Sequence, residues 1–241
     1  MRADQVRCDR RLFATSRLFF AERNERGAGF GGAILYYRTG CLSAAAVAPR
    51  ALFFSRGSCV PTRYPELAAL LKSKSLKFGH FVLASGKTSS YYIDGRLTSF
   101  DPAGAALIAE AVLNEIKDLP VDAVGGMDMG ATPIVGAVAC RSHYVGRPLP
   151  TFVVRKEVKS HGTQKKIEGP LPAGPCKVVI IDDVVTSGDS ILKAIDAAQD
   201  QGCEILLAIS VLDRNAGATE ALQGRGIPYR PLVTLADLGI S

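Results

Sequence analysis

Residues Val178 to Ser190 read VVIIDDVVTSGDS, and this stretch decides the fold. Val178–Ile181 is a continuous branched apolar run, as expected of a strand covered on both faces in a parallel sheet. The adjacent carboxylates of Asp182 and Asp183 are expected to stop that strand at its carboxyl end, where open α/β sheets bind ligands. Thr186, Ser187, Gly188 and Ser190 then offer hydroxyls, backbone N–H groups and the start of a helix, which together suit an anion. Carboxylates able to hold sugar hydroxyls thus stand beside a cradle able to hold a phosphate. The pairing suits a ribose 5-phosphate. The plainer reading, a strand entering an acidic turn and a capped helix, would suffice for the two acids alone but not for the whole pattern.

The chain has 241 residues, enough for one ample core or two modest ones. No apolar run approaches the ~20 residues of a membrane-spanning helix. Six cysteines, at 8, 41, 59, 140, 176 and 203, form no CxxC pair. That pattern argues against a zinc site and fits reduced thiols in a cytoplasmic protein. The net charge of +6 has one source: residues 1–60 hold ten Arg, no Lys and four acids, and the remainder is balanced. Residues 61–241 therefore carry no excess charge that would attract nucleic acid.

Residues 1–60 differ from the rest in using Arg alone and in their Gly-rich and Ala-rich patches. With no sustained helical or strand period, they read as a poorly ordered extension, disordered or non-native. An upstream start codon, a native tail and an organellar transit peptide are its three candidate origins. From Tyr64 strands and helices alternate. Helices are expected at Pro65–Leu76, from Asp101-Pro102 to Ile116, at Pro133–Arg141, Asp189–Gln199 and Thr219–Gln223. Strands are expected at Tyr91–Ile93, Ala123–Gly126, Thr151–Val154, Lys177–Ile181, Ile205–Leu212 and Tyr229–Leu235. Gly162–Pro175 reads as a polar, interrupted stretch. The alternation predicts an α/β fold over 61–241 with a central parallel sheet flanked by helices.

A second segment, Arg155–Gly169 (RKEVKSHGTQKKIEG), follows a strand and holds Arg155, Lys156, Lys159, His161, Lys165 and Lys166. Such a loop can fold over a polyanion, and excluding water there strengthens each charge contact to a departing group. Charge alone would equally fit a solvated basic loop. The order RKE, Lys159, His161-Gly162 resembles the catalytic loop of the orotate phosphoribosyltransferase family, and Val178–Ser190 resembles the phosphoribosyl pyrophosphate (PRPP) loop of type I phosphoribosyltransferases. Lys77-Phe78-Gly79, Phe81–Lys87 and Ser90-Tyr91-Tyr92 resemble that family's early segment, whose backbone and aromatics line the base pocket. Gly125–Pro133 (GGMDMGATP) is similar to its pyrophosphate-side loop, and Leu212-Asp213-Arg214 to the strand end carrying an arginine to the orotate carboxylate. The resemblance spans roughly residues 64–241.

The resemblance implies a type I phosphoribosyltransferase fold with a small N-terminal hood. It also implies conversion of orotate and PRPP to orotidine 5-phosphate and pyrophosphate. Lys159 and His161 would be catalytic. PRPP would be held by Arg155, Lys156, Lys159, His161, Asp182, Asp183 and the loop Val184, Val185, Thr186, Ser187, Gly188, Asp189 and Ser190. Orotate would be held by Thr186 and Arg214. Mg2+ would ride on the substrate with no dedicated protein ligands, and the enzyme would be a homodimer with shared active sites. Ala84 and Met129 stand where some members carry lysine, and Ser160 where some carry an acid. His80 and His143 read as structural or surface residues. Two rival readings are a phosphoribosyltransferase for another base and a regulatory protein that binds PRPP without turnover.

Overall fold

The apolar run that ends in the paired acids lies near the middle of a six-stranded sheet. The computed structural model describes residues 62–82, 88–157 and 166–240. Its strands are β1 (Leu76–Val82), β2 (Thr88–Ile93), β3 (Ala123–Met127), β4 (Thr151–Val154), β5 (Ile167–Glu168), β6 (Cys176–Val185), β7 (Cys203–Asp213) and β8 (Tyr229–Thr234). The helices are α1 (Pro65–Lys74), α2 (Arg96–Ser99), α3 (Pro102–Glu115), α4 (Thr132–Tyr144), α5 (Asp189–Gln199) and α6 (Ala218–Gln223). The main sheet runs β5-β4-β3-β6-β7-β8, and β1 with β2 form a separate antiparallel pair, the hood. Every neighbour in the main sheet is parallel except β5 against β4.

Alternation along β6 builds two cores at once. Val179 and Ile181 join a cluster with Ile108, Val112, Ile134 and Val138 of α3 and α4. Val178 and Ile180 join another with Ile191, Ile195 and Ala198 of α5 and Leu222 of α6. All four strand residues are completely buried, so no polar face interrupts the sequence. The chain moves one way from β3 to β4 and then crosses to β6. The crevice at the carboxyl ends of β3 and β6 is therefore the point where the winding reverses.

Several elements begin where the residues dictate. Asp101 caps α3, its carboxylate accepting from the backbone N–H of Ala103 and Gly104 at 3.1 Å each, with Pro102 in the first turn. α5 runs over the expected Asp189–Gln199.

Other expectations are corrected. The first helix ends at Lys74, and Leu76–Val82 pairs with β2, which begins at Thr88 and not Tyr91. β1 is exposed at most positions and irregular between Phe78 and Phe81, so it has no clean alternation to read. The acid pair does not stop β6. The strand continues to Val185 because β7 runs on beside it and keeps pairing, Val184 with Leu212 and Val185 with Asp213. The polar stretch after residue 162 contains β5, two residues held to the edge of β4 and reinforced by an ion pair of Arg155 with Glu168 at 2.9 Å. Among the described residues no helix is long and apolar enough to cross a membrane.

Candidate active site

Neighbouring residues on an ideal strand face opposite ways. Across Asp182–Asp183 the alternation slips by one, since Ile181 and Val184 pack against the same core cluster. Both carboxylates consequently approach Gly130, in the loop between β3 and α4. A Cβ on Gly130 would collide with Oδ1 of Asp183 and lie 2.8 Å from Oδ1 of Asp182. Only a residue without a side chain lets that loop lie against the acids. The loop is braced by Thr132, whose hydroxyl donates to Asp128 at 2.8 Å.

Asp182 is 4% exposed, and its Oδ1 accepts the Asp183 backbone N–H at 3.0 Å. Burial, then the charge of Asp183, pushes the Asp182 carboxyl up to about 7. Burial also raises Asp183, opposed by hydrogen bonds including the backbone N–H of Val184. The pair is thus held in a state that hydrogen-bond donors or a cation from a ligand would relieve.

Immediately beyond, residues 186–188 form the turn into α5. Gly188 precedes the helix at φ +92°, a left-handed conformation that side chains resist, and no side chain caps the helix there. The uncapped N–H groups of the first turn open into a cavity of about 200 Å³, lined by Asp182 and residues 184–191. Thr186, Ser187, Asp189 and Ser190 are exposed at its rim. The structure thus gathers Asp182 with Val184, Val185 and the loop residues around one cavity at the start of α5. A second cavity of about 340 Å³ brings Arg155, Lys156, Lys166 and Lys193 beside Asp189 and Ser190. Arg155 reaches that cavity while also paired with Glu168. Lys159, His161, Ala84 and Ser160 lie outside the described residues.

Arg214 follows the last residue of β7, and its backbone N–H donates to the carbonyl of Val185 at 2.9 Å. This places it beside Thr186, at the mouth of the crevice. Its guanidinium lies 5.5 Å from the centre of the Tyr91 ring. Arg63, Arg96, Arg141, Arg155, Arg225 and Arg230 all have carboxylate partners, and Arg147 donates to three carbonyls. Among the described arginines, Arg214 alone has neither kind of partner. Asp213, 1% exposed, accepts the N–H of Asn215 at 2.8 Å and so shapes the turn, in which Asn215 has φ +50°.

The sequence reading missed the contact of Gly130 with the acids, the stacking of Tyr91 on Arg214 and the turn-forming role of Asp213. A glycine beside Asp128 in a strand–loop–helix unit was the available signal for the first. The other two join residues distant in the chain and had no local signal. Met129 is 55% exposed, and His80 and His143 are exposed, on β1 and α4 respectively. Among the described residues no three His, Cys, Asp or Glu side chains stand together as a metal site.

Residues 99–223 match the family model of the phosphoribosyl transferase domain. The chain is 41% identical over 176 residues to an orotate phosphoribosyltransferase of Rhodopseudomonas palustris, covering 71% of this chain and 94% of the relative. It resembles the crystal structure of the Mycobacterium tuberculosis orotate phosphoribosyltransferase bound to Fe(III) dicitrate, with a TM-score of 0.66, 38% identity and coverage of 73% of this chain and 99% of that one. The same enzyme in complex with PRPP matches with a TM-score of 0.63 and 35% identity, over 73% of this chain and 99% of that one.

Proposed function

The chain belongs to the orotate phosphoribosyltransferase family, and from that premise we propose how its residues carry out the transfer of phosphoribose from PRPP to orotate, a pentosyl transfer that builds orotidine 5-phosphate for pyrimidine nucleotides. The bond from the anomeric carbon to pyrophosphate oxygen breaks, and a bond to the base nitrogen forms. Pyrophosphate leaves with the electron pair, the nitrogen's proton is released, and positive charge builds on the ribose ring in between.

The observation that carries the assignment is the paired acids packed on Gly130 and adjoining an open helix N-terminus. Asp182 and Asp183 accept the ribose hydroxyls, and the α5 cradle, which shares a cavity with Asp182, takes the 5-phosphate. Residues Val184–Ser190 hold that phosphate through backbone N–H groups and hydroxyls. Lys156 and Arg155, with Lys159 and His161 from the loop between β4 and β5, balance the charge of the leaving pyrophosphate. Arg214 holds the orotate carboxylate, a role supported by its having no carboxylate or carbonyl partner among the described residues, and Thr186 completes that side.

Magnesium fits this site as a passenger of the substrate: bound to PRPP it would spread the charge of pyrophosphate, and the carboxylates of Asp182 and Asp183 would stand near it as hard oxygen donors. We place the enzyme in the cytoplasm as a homodimer whose cationic loop serves the neighbouring site, with residues 61–241 as the catalytic domain.

Loss of orotate absorbance with PRPP and magnesium tests the assignment. Turnover with orotate, and none with uracil or a purine base, is expected. PRPP binding without turnover of any base would instead favour a regulatory role.

A further inference from the structure

Orotate carries its charge on a planar carboxylate, and a guanidinium can meet both oxygens only in one plane. A long, half-buried arginine with no carboxylate or carbonyl partner among the described residues would otherwise sample many rotamers, and each binding event would cost the entropy of fixing it. Arg214 stands in that position at the end of β7. The one described group seen ordering its guanidinium is the Tyr91 ring, 5.5 Å from the ring centre.

That ring is itself fixed. Tyr91 lies on β2 opposite Phe78 and packs at the edge of the main core cluster. Its backbone is pinned from both sides by one hydroxyl: Ser89 donates to the Tyr91 carbonyl at 2.7 Å and accepts the Tyr91 N–H at 3.3 Å. The hood therefore presents a rigid aromatic face to a cation carried by the main sheet.

We propose that Tyr91 is a positioning residue for base recognition, holding the Arg214 guanidinium by cation–π stacking in the plane that receives the carboxylate of the pyrimidine substrate. The proposal rests on Arg214 being the carboxylate's partner. Tyr91 acts through Arg214 and does not depend on its own hydroxyl. The hood thereby contributes to discrimination between orotate and bases that lack a carboxylate.

The test measures the KM of orotate and of PRPP, with kcat, in Tyr91→Leu, Tyr91→Met, Tyr91→Phe, Arg214→Ala and the Tyr91→Leu/Arg214→Ala double variant of the full chain. Replacing the ring by Leu or Met should raise the orotate KM about three- to thirtyfold, the range of a partly desolvated cation–π contact, and leave the PRPP KM within about twofold. Tyr91→Phe should restore most of the loss. The double variant should be no worse for orotate than Arg214→Ala. An added loss in the double variant, or equal losses in Phe and Leu, would overturn the positioning role while leaving Arg214 as the carboxylate's partner. If Arg214→Ala moves both KM values alike, the underlying reading of Arg214 fails, and this proposal with it.

Discussion

Gly130 and Asp183 come so close that a single methyl group could not stand between them. The loop after β3 and the acid pair within β6 therefore lie directly against one another, with no side chain between them. Under the proposed assignment, this contact would set how the ribose and pyrophosphate ends of PRPP are held relative to one another.

Gly130→Ala should consequently damage catalysis more than stability. The new methyl must push the loop or the carboxylates aside, costing about 1–3 kcal/mol as overpacking does. Because those carboxylates are proposed to hold the ribose, kcat/KM for PRPP should fall about 100-fold or more, a loss consistent with an ångström-scale misplacement of reacting groups. Steady-state kinetics beside a thermal melt would check this, and a variant with wild-type kcat/KM would show that the contact is passive.

Lys159→Ala should reduce kcat far more than it weakens PRPP binding. The prediction comes from the order of cations in Arg155–Gly169. A charge needed chiefly as pyrophosphate departs is an interaction made in the transition state. A kcat within about threefold of wild type, less than 1 kcal/mol of barrier, would remove Lys159 from the catalytic group.

Deleting residues 1–60 should leave turnover and melting temperature essentially unchanged. The relatives are matched over 94% to 99% of their own length by 71% to 73% of this chain. The cut also spares the first tie of the described domain, where Arg63 pairs with the buried carboxylate of Glu115 at 2.5 Å beside the Tyr64 hydroxyl. A fall of more than about 5 °C, roughly 1–2 kcal/mol for a domain of this size, would show that the segment contributes packing.

How much of this was legible in the sequence depended on how local each signal was. Val178–Ile181 announced its strand because both faces of β6 are buried, and Asp101-Pro102 announced α3 because cap and first turn are adjacent in the chain. The turn into α5 at residues 186–190 was readable for the same reason. The end of β6 was misread because its continuation depends on β7, 28 residues further from Val185 to Asp213 in pairing terms, and not on the acids themselves. The hood strand β1 hid behind exposed residues. Tyr91 was legible as a pocket aromatic only through resemblance, and its contact with Arg214 exists only once hood and sheet are folded.

Asp182→Asn should stabilise the ligand-free protein in alkaline buffer while abolishing efficient PRPP use. Burial and the neighbouring charge hold the Asp182 carboxyl at about 7 in the folded chain, against roughly 3.9 when unfolded. Between those values the folded state keeps a proton that the unfolded state has lost, so stability falls as pH rises from about 4 to about 7 and stays lower above. The amide carries no charge to desolvate, and its oxygen can still accept the Asp183 N–H. The variant should therefore melt higher than wild type at pH 8, by an amount reflecting about 1–4 kcal/mol, with the gap closing toward pH 4. Wild-type PRPP affinity should move oppositely, strengthening as pH rises through about 7, because the ribose hydroxyls donate best to the ionised carboxylate. Melts of both proteins from pH 4 to 8, with PRPP titrations over the upper half of that range, decide the matter. A variant less stable than wild type at pH 8 would mean that the ionised Asp182 supports the fold even without substrate.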